Sequence, residues 1–147
     1  MSEHTSDESR TVGATETSFA VIERLRDRGG ATVTELAADL DASKSTVHNH
    51  LRTLVELGYV VTEGSVYHLG LQFLDLGNAA RDRLGLYDVT KQGVDELVST
   101  TDEHGYVMVE EGGRGVYIYQ STTERGVQYS PTAPSVADRR RPIQQLQ

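Results

Sequence analysis

The chain has 147 residues, room for one ordinary domain or two small ones, and sets twenty-two acidic against fourteen basic side chains for a formal charge of −8. The absence of cysteine excludes disulfide staples and cysteine zinc sites. No run of about eighteen apolar residues is present to form a membrane-spanning helix, and the start has no secretory pattern, so the expected compartment is the cytoplasm.

Twelve of the fourteen bases are arginine, leaving only Lys44 and Lys91. Low lysine with abundant Asp and Glu resembles the composition of proteins adapted to concentrated salt. Such an acidic balance argues mildly against nucleic-acid binding. It is unevenly spread, however: residues 71–130 sum to −5, whereas residues 18–70 sum to only −2.

In chain order, residues 1–17 read as a solvated acidic tail. A first helix is expected from Ser18 to Arg28, capped by Thr17 or Ser18, carrying Val21, Ile22 and Leu25 at helical spacing and ended by Gly29-Gly30. A second, Val33 to Leu40, has Thr32 and Glu35 at capping-box spacing. Asp41-Ala42 makes a short turn, and Ser43 caps a third helix running to about Leu57 and closed by Gly58. The period then becomes alternating: "YVVTEGSVYHL" reads as a hairpin turning at Glu63-Gly64. Three helices and a hairpin describe a winged helix-turn-helix over residues 18–70, whose small size calls for a partner surface.

Residues 71–85 read as a linker helix whose stripe of Leu71, Leu74, Leu76, Ala79, Ala80 and Leu84 packs on something, interrupted near Gly85. A further helix from Tyr87 to about Thr101 should bury Val94, Leu97 and Val98. "YVMVEEGGRGVYIYQ" reads as a hairpin turning at Gly112-Gly113, and "GVQYSP" as one more strand within a domain spanning 86–130. Residues 131–147 show no periodicity and read as an unstructured end.

The chemistry concentrates in the third helix. Val47, Leu51, Leu54 and Val55 fall on one side, and Ser45, Thr46, Asn49, Arg52 and Thr53 on the other. In a major groove Asn pairs with adenine and Arg with guanine, while Ser43, Lys44 and the hydroxyls near the helix start suit phosphates. His48 is placed to touch DNA backbone or solvent, His50 flanks the core, and their spacing of two prevents easy chelation of one metal. Thr62 and Ser65 on the wing complete the candidate contact set. "EGGRG" lacks the helix and lysine of a phosphate loop, and Arg139 to Arg141 read as a solvated charge run. No nucleophile–base or paired-carboxylate arrangement points to an enzyme, and no cofactor is expected. The alternative to DNA binding is a winged-helix protein–protein adaptor.

"TVTELAADLDASKSTVHNHLRTLVELGYV" followed by Tyr67, His68, Leu69 and Gly70 resembles the DNA-binding domain of the IclR family of transcriptional regulators, with its Lys-Ser-Thr-Val-His core and Tyr-x-Leu-Gly signature. The likeness continues through "LGNAARDRLGLYDVTKQGVDELVSTTDEHGYVMV" into the linker helix and the start of the family's effector-binding domain. It implies an α+β protein: an N-terminal winged helix-turn-helix, a linker helix and a partial GAF-like α/β effector domain. It also implies a homodimer on double-stranded DNA. Asn49 stands where the family commonly has Arg, so base preference does not carry over there. The chain is expected to be a truncated or frameshifted member, with too little of the effector domain to bind a small-molecule effector tightly. The faces of Val107, Val109, Val116, Ile118 and Tyr119 would then stay open or pair with another chain.

Overall fold

The computed structural model of the protein describes residues 11–122 and 136–137. Its elements are α1 (Gly13–Arg28), α2 (Val33–Asp39), α3 (Lys44–Glu56), β1 (Val60–Glu63), β2 (Val66–Leu69), α4 (Gln72–Asp82), α5 (Tyr87–Thr101), β3 (Gly105–Glu111), β4 (Arg114–Ser121) and β5 (Val136–Ala137). They fall into two compact units, the first through Asp75 and the second from Leu76, with the boundary inside α4.

Helix α1 starts one and a half turns earlier than expected. Val12 is the residue before it, no side chain caps it, and the Thr17 hydroxyl donates to the Gly13 carbonyl at 3.0 Å instead. Gly13 to Thr17, read from sequence as tail, are therefore helical. No breaker interrupts them, and first-turn N–H groups facing water need no side-chain cap. The more N-terminal part of that tail lies outside the described residues.

Helix α2 opens with the expected capping box: the Glu35 N–H donates to Thr32 Oγ1 and the Thr32 N–H to Glu35 Oε2 at 2.8 Å. It ends at Asp39, one residue early, with Leu40 as its cap, because Asp41 turns left-handed at φ 48° and the Ala42 N–H folds back to the Ala37 carbonyl at 3.0 Å. Arg28 locks the end of α1 to the end of α2 through paired contacts of 2.6 and 2.9 Å to Asp39. The same guanidinium holds the Asp39 carboxyl below its ordinary pKa.

Helix α3 is capped by Ser43, whose Oγ accepts the Thr46 N–H at 3.0 Å. It stops at Gly58 (φ 79°), with the Gly58 N–H reaching Val55 and the Tyr59 N–H reaching Leu54. This double closure aims the chain straight into β1. Val21 and Leu25 from α1, Leu36 and Ala37 from α2, and Val47, Leu51 and Leu54 from α3 meet Ala31 and Val60 in one core. Each fully buried Leu or Val there contributes about 1.5–3 kcal/mol. Val55, expected inward, sits at the margin of the stripe and is 37% exposed.

Strands β1 and β2 pair antiparallel from Val60↔Leu69 to Glu63↔Val66, so the turn consists of Gly64-Ser65 and Glu63 still belongs to the strand. Ala31 bridges to Tyr67 through two backbone hydrogen bonds of 3.0 and 2.9 Å. Gly70 brings the chain back against the α3–β1 corner, donating its N–H to the Tyr59 carbonyl at 2.8 Å. A Cβ there would lie 2.6 Å from the Gly58 carbonyl oxygen, so only glycine allows this approach. Phe73 then packs on Tyr59, ring centroids 5.0 Å apart.

In the second unit α5 packs on β3 where Gly105 has no side chain; a Cβ there would meet Val94 and Val98 of α5. Val98 is buried and Val94 half-buried, whereas Leu97 is 59% exposed, contrary to expectation. Only the i, i+4 pair faces the strand, and Leu97 points about 100° away from Val98. The sheet order is β3-β4-β5, all antiparallel. Gly112 and Gly113, both left-handed at φ 56° and 76°, make the expected tight turn. Val107 pairs with Tyr119 but Met108 with Tyr117, leaving Ile118 as the extra residue of a bulge.

Two further expectations need correction. Val107, Val109, Val116, Ile118 and Tyr119 are half-buried, not bare; the exposed apolar side chains of β3 are Tyr106 and Met108. Val136–Ala137, within the end read as unstructured, pairs with β4 at Val116 and Gly115. No residue of α4 is buried among the described residues, so the stripe containing Leu74, Leu76, Ala79 and Ala80 keeps its apolar side chains exposed there. The expected strand "GVQYSP" lies outside the described residues. Among the described residues no helix is long and apolar enough to cross a membrane.

Candidate nucleic-acid interface

Eight of the ten candidate contact residues lie on or at the start of α3, which places Lys44, Ser45, Thr46, His48, Asn49, Arg52 and Thr53 outward behind the Ser43 cap, all exposed. The reason is the amphipathic period: Val47, Leu51 and Leu54 are fixed in the core, and the residues between them have nowhere to point but solvent. Thr62 is exposed on β1 and Ser65 is exposed in the turn beyond it. These two belong to the wing and no hydrogen bond ties them to α3.

Hydrogen bonding sorts the face further. The Ser43 hydroxyl is spent on the Thr46 backbone and sits 2.8 Å from the Thr46 hydroxyl. The Thr53 hydroxyl donates to the Asn49 carbonyl at 3.1 Å, which leaves its methyl as the outward group. Among the described residues, Lys44, Ser45, His48 and Asn49 have no intramolecular side-chain hydrogen bond or ion pair. They are polar groups with unused donors and acceptors on a rigid helix, which is what reading a base edge or gripping a phosphate requires.

His50, half-buried, is set apart from this face: its Nδ1 lies 2.8 Å from Ser18 Oγ on α1, so it serves the helix packing. His48 and His50 point to different sides, and the described residues hold no group of three or more metal-ligating side chains.

One neighbour of this face escaped the sequence reading. Glu56, the last residue of α3, places Oε1 3.6 Å from Arg52 Nε, both side chains being about two-thirds exposed (68% and 70%). The i, i+4 spacing was the available signal. On the wing, His68 is held by the Gly29 carbonyl at 3.0 Å from Nδ1, with Glu63 at 3.9 Å from Nε2. Its ring fills the space beside Gly30, where any Cβ would collide with it.

The family profile for the IclR helix-turn-helix domain matches residues 14–64. ArcR of Halobacterium salinarum, described as an HTH-type transcriptional regulator, is 30% identical over 121 residues, covering 82% of this chain and 46% of its own length. The HTH-type transcriptional regulator KipR of Bacillus subtilis is 28% identical over 102 residues, 69% of this chain and 41% of its own. The chain thus spans less than half the length of these curated relatives. The crystal structure of the Thermotoga maritima IclR superposes on 79% of this chain with a TM-score of 0.68 at 20% identity, over 48% of its own length, and so shares the fold. These relatives are transcriptional regulators, not enzymes, and on these matches the chain belongs to the IclR family.

Proposed function

We propose that the protein is a sequence-specific DNA-binding transcriptional regulator that acts as a homodimer on double-stranded operator DNA. The observation that carries this reading is the outward face of α3, on which Lys44, Ser45, His48 and Asn49 keep their hydrogen-bonding groups uncommitted. Helix α3 enters the major groove, where Asn49 pairs with adenine and Arg52 with guanine, and Thr53 presents its methyl to a thymine. Lys44 holds a phosphate near the helix start, and the wing carrying Thr62 and Ser65 lies along the flanking backbone or minor groove. The exposed α4 stripe supplies the two-fold contact, and α5 with β3–β5 is the beginning of a GAF-like effector domain. The acidic, lysine-poor surface suits concentrated salt.

The test is selection of an operator from random duplexes followed by two substitutions. Arg52→Ala is expected to lower specific affinity by about 1–3 kcal/mol and relax one base position, while Lys44→Ala weakens binding to all sequences alike. If both variants bind the selected duplex as the wild type does, α3 is not the reader.

A further inference from the structure

The Arg52–Glu56 pair is an odd feature on a face built for DNA, because it puts a carboxylate beside the arginine assigned to a base. Glu56 is the final residue of α3, about one turn or 6 Å along the axis from Arg52. A reading helix contacts base edges through its N-terminal part, so its last turn is carried toward the groove's rim, where the phosphates stand. An arginine at that depth has two options, a base edge or a phosphate, and the phosphate contact is the one available on every sequence.

Glu56 changes the balance between them. Its carboxylate approaches Nε, leaving the two terminal nitrogens of the guanidinium fork free for a base. It also offsets the arginine charge at the rim end of the helix, which weakens the pull of the phosphates on a straying guanidinium. We propose that Glu56 is a positioning residue for Arg52 that keeps it from acting as a general phosphate clamp, and so raises the preference for the operator over random DNA. This role rests on the reading of α3 given above, and goes beyond it by assigning selectivity to a residue that touches no base.

The experiment uses the full chain with Glu56→Gln, a substitution at an exposed helix end that keeps size and helix propensity. Binding is measured on the selected operator and on a random duplex of equal length, each across a potassium chloride series. Random-duplex affinity should rise about two- to fivefold and its salt slope steepen by about 0.9, one more phosphate contact, while operator affinity stays within about twofold. The same substitution in an Arg52→Ala background should leave random-duplex binding unchanged. Unaltered random-duplex affinity and slope for Glu56→Gln would overturn the proposal. So would an equal gain in the Arg52→Ala background, since the carboxylate would then act on phosphates by itself. Failure of the parent reading is separately visible: Arg52→Ala would bind the selected operator as tightly as wild type.

Discussion

Gly70→Ala tests whether the wing is set by a close backbone approach. The added Cβ would sit 2.6 Å from the Gly58 carbonyl oxygen and 3.1 Å from the Tyr59 carbonyl carbon and oxygen, all backbone atoms of the α3–β1 corner. None can swing aside as a side chain would, so the ends of β2 and α3 must separate by roughly half an ångström or more, within an overpacking cost of about 1–3 kcal/mol. The Gly70 to Tyr59 hydrogen bond, 2.8 Å long, is stretched by the same movement. Its weakening adds up to about 1 kcal/mol, and the reduced freedom of the unfolded chain returns about 0.4–1 kcal/mol. A net loss of about 2 kcal/mol corresponds to a fall in Tm of about 8–16 °C for a domain of this size. The control is Gly77→Ala in α4, where a Cβ meets nothing within 4 Å. It should be neutral or stabilise by up to about 1 kcal/mol through helix propensity. Thermal unfolding followed by far-ultraviolet circular dichroism, with hydrogen exchange at Leu51 and Leu54 to identify the first unit's transition, reads both. A Gly70→Ala chain melting within about 2 °C of wild type would refute the steric argument.

Asp41→Gly should stabilise the first unit by about 0.5–1 kcal/mol, measured by denaturant unfolding, because Asp41 occupies a left-handed closure where glycine carries no Cβ penalty. Asp95, bonded to Lys91 and to the Tyr119 hydroxyl at 2.7 and 2.5 Å, has its pKa lowered to about 2 from the ordinary 3.8. A depressed carboxyl pKa stabilises the fold above the unfolded value and stops doing so as pH falls through the folded one. Asp95→Asn should therefore flatten the part of the stability profile lying between about pH 4 and pH 2, as followed by unfolding at stepped pH. Leu74→Asp or Leu76→Asp should convert the proposed dimer to monomers in sedimentation, since both side chains are more than half exposed on α4 in the single chain. A wild type already monomeric at micromolar concentration contradicts the dimer. Operator binding should persist in molar potassium chloride with a shallow salt slope, because screening at about 1 M hides the repulsion between surface carboxylates and phosphates. A steep loss of affinity between about 0.2 and 1 M would remove the salt-adaptation reading and leave DNA binding standing.

The helix-turn-helix was legible because its signals are local. Thr32 and Glu35, Ser43 and Gly58 each mark a helix end through a hydrogen bond that spans a few residues, and every one forms as expected. The outward face of α3 followed from the period of Val47, Leu51 and Leu54. What failed depended on partners far along the chain. Leu97 looks like a core residue until β3 is placed and only Val94 and Val98 prove to face it. The short β5 carries too few residues to show a period, and its register is set by β4, more than a dozen residues upstream. The Val12 start of α1 has no capping side chain to announce it. Glu56, at i, i+4 from Arg52, was not singled out, since a sequence cannot say whether two flexible side chains meet.

The bridge between Ala31 and Tyr67 gives the wing a mechanical character that a two-stranded hairpin lacks. Tyr67 lies midway along β2, opposite Thr62, so the pairing with Ala31 clamps the ribbon at its middle and leaves Gly64-Ser65 as a short free arm. A load on that arm, such as the rim of a groove pressing against it, is borne at the clamp and passes into the junction between α1 and α2. The next residue there is Thr32, whose cap begins α2. The wing is thus a braced lever, whose base is tied by that bridge at a set angle to the helices.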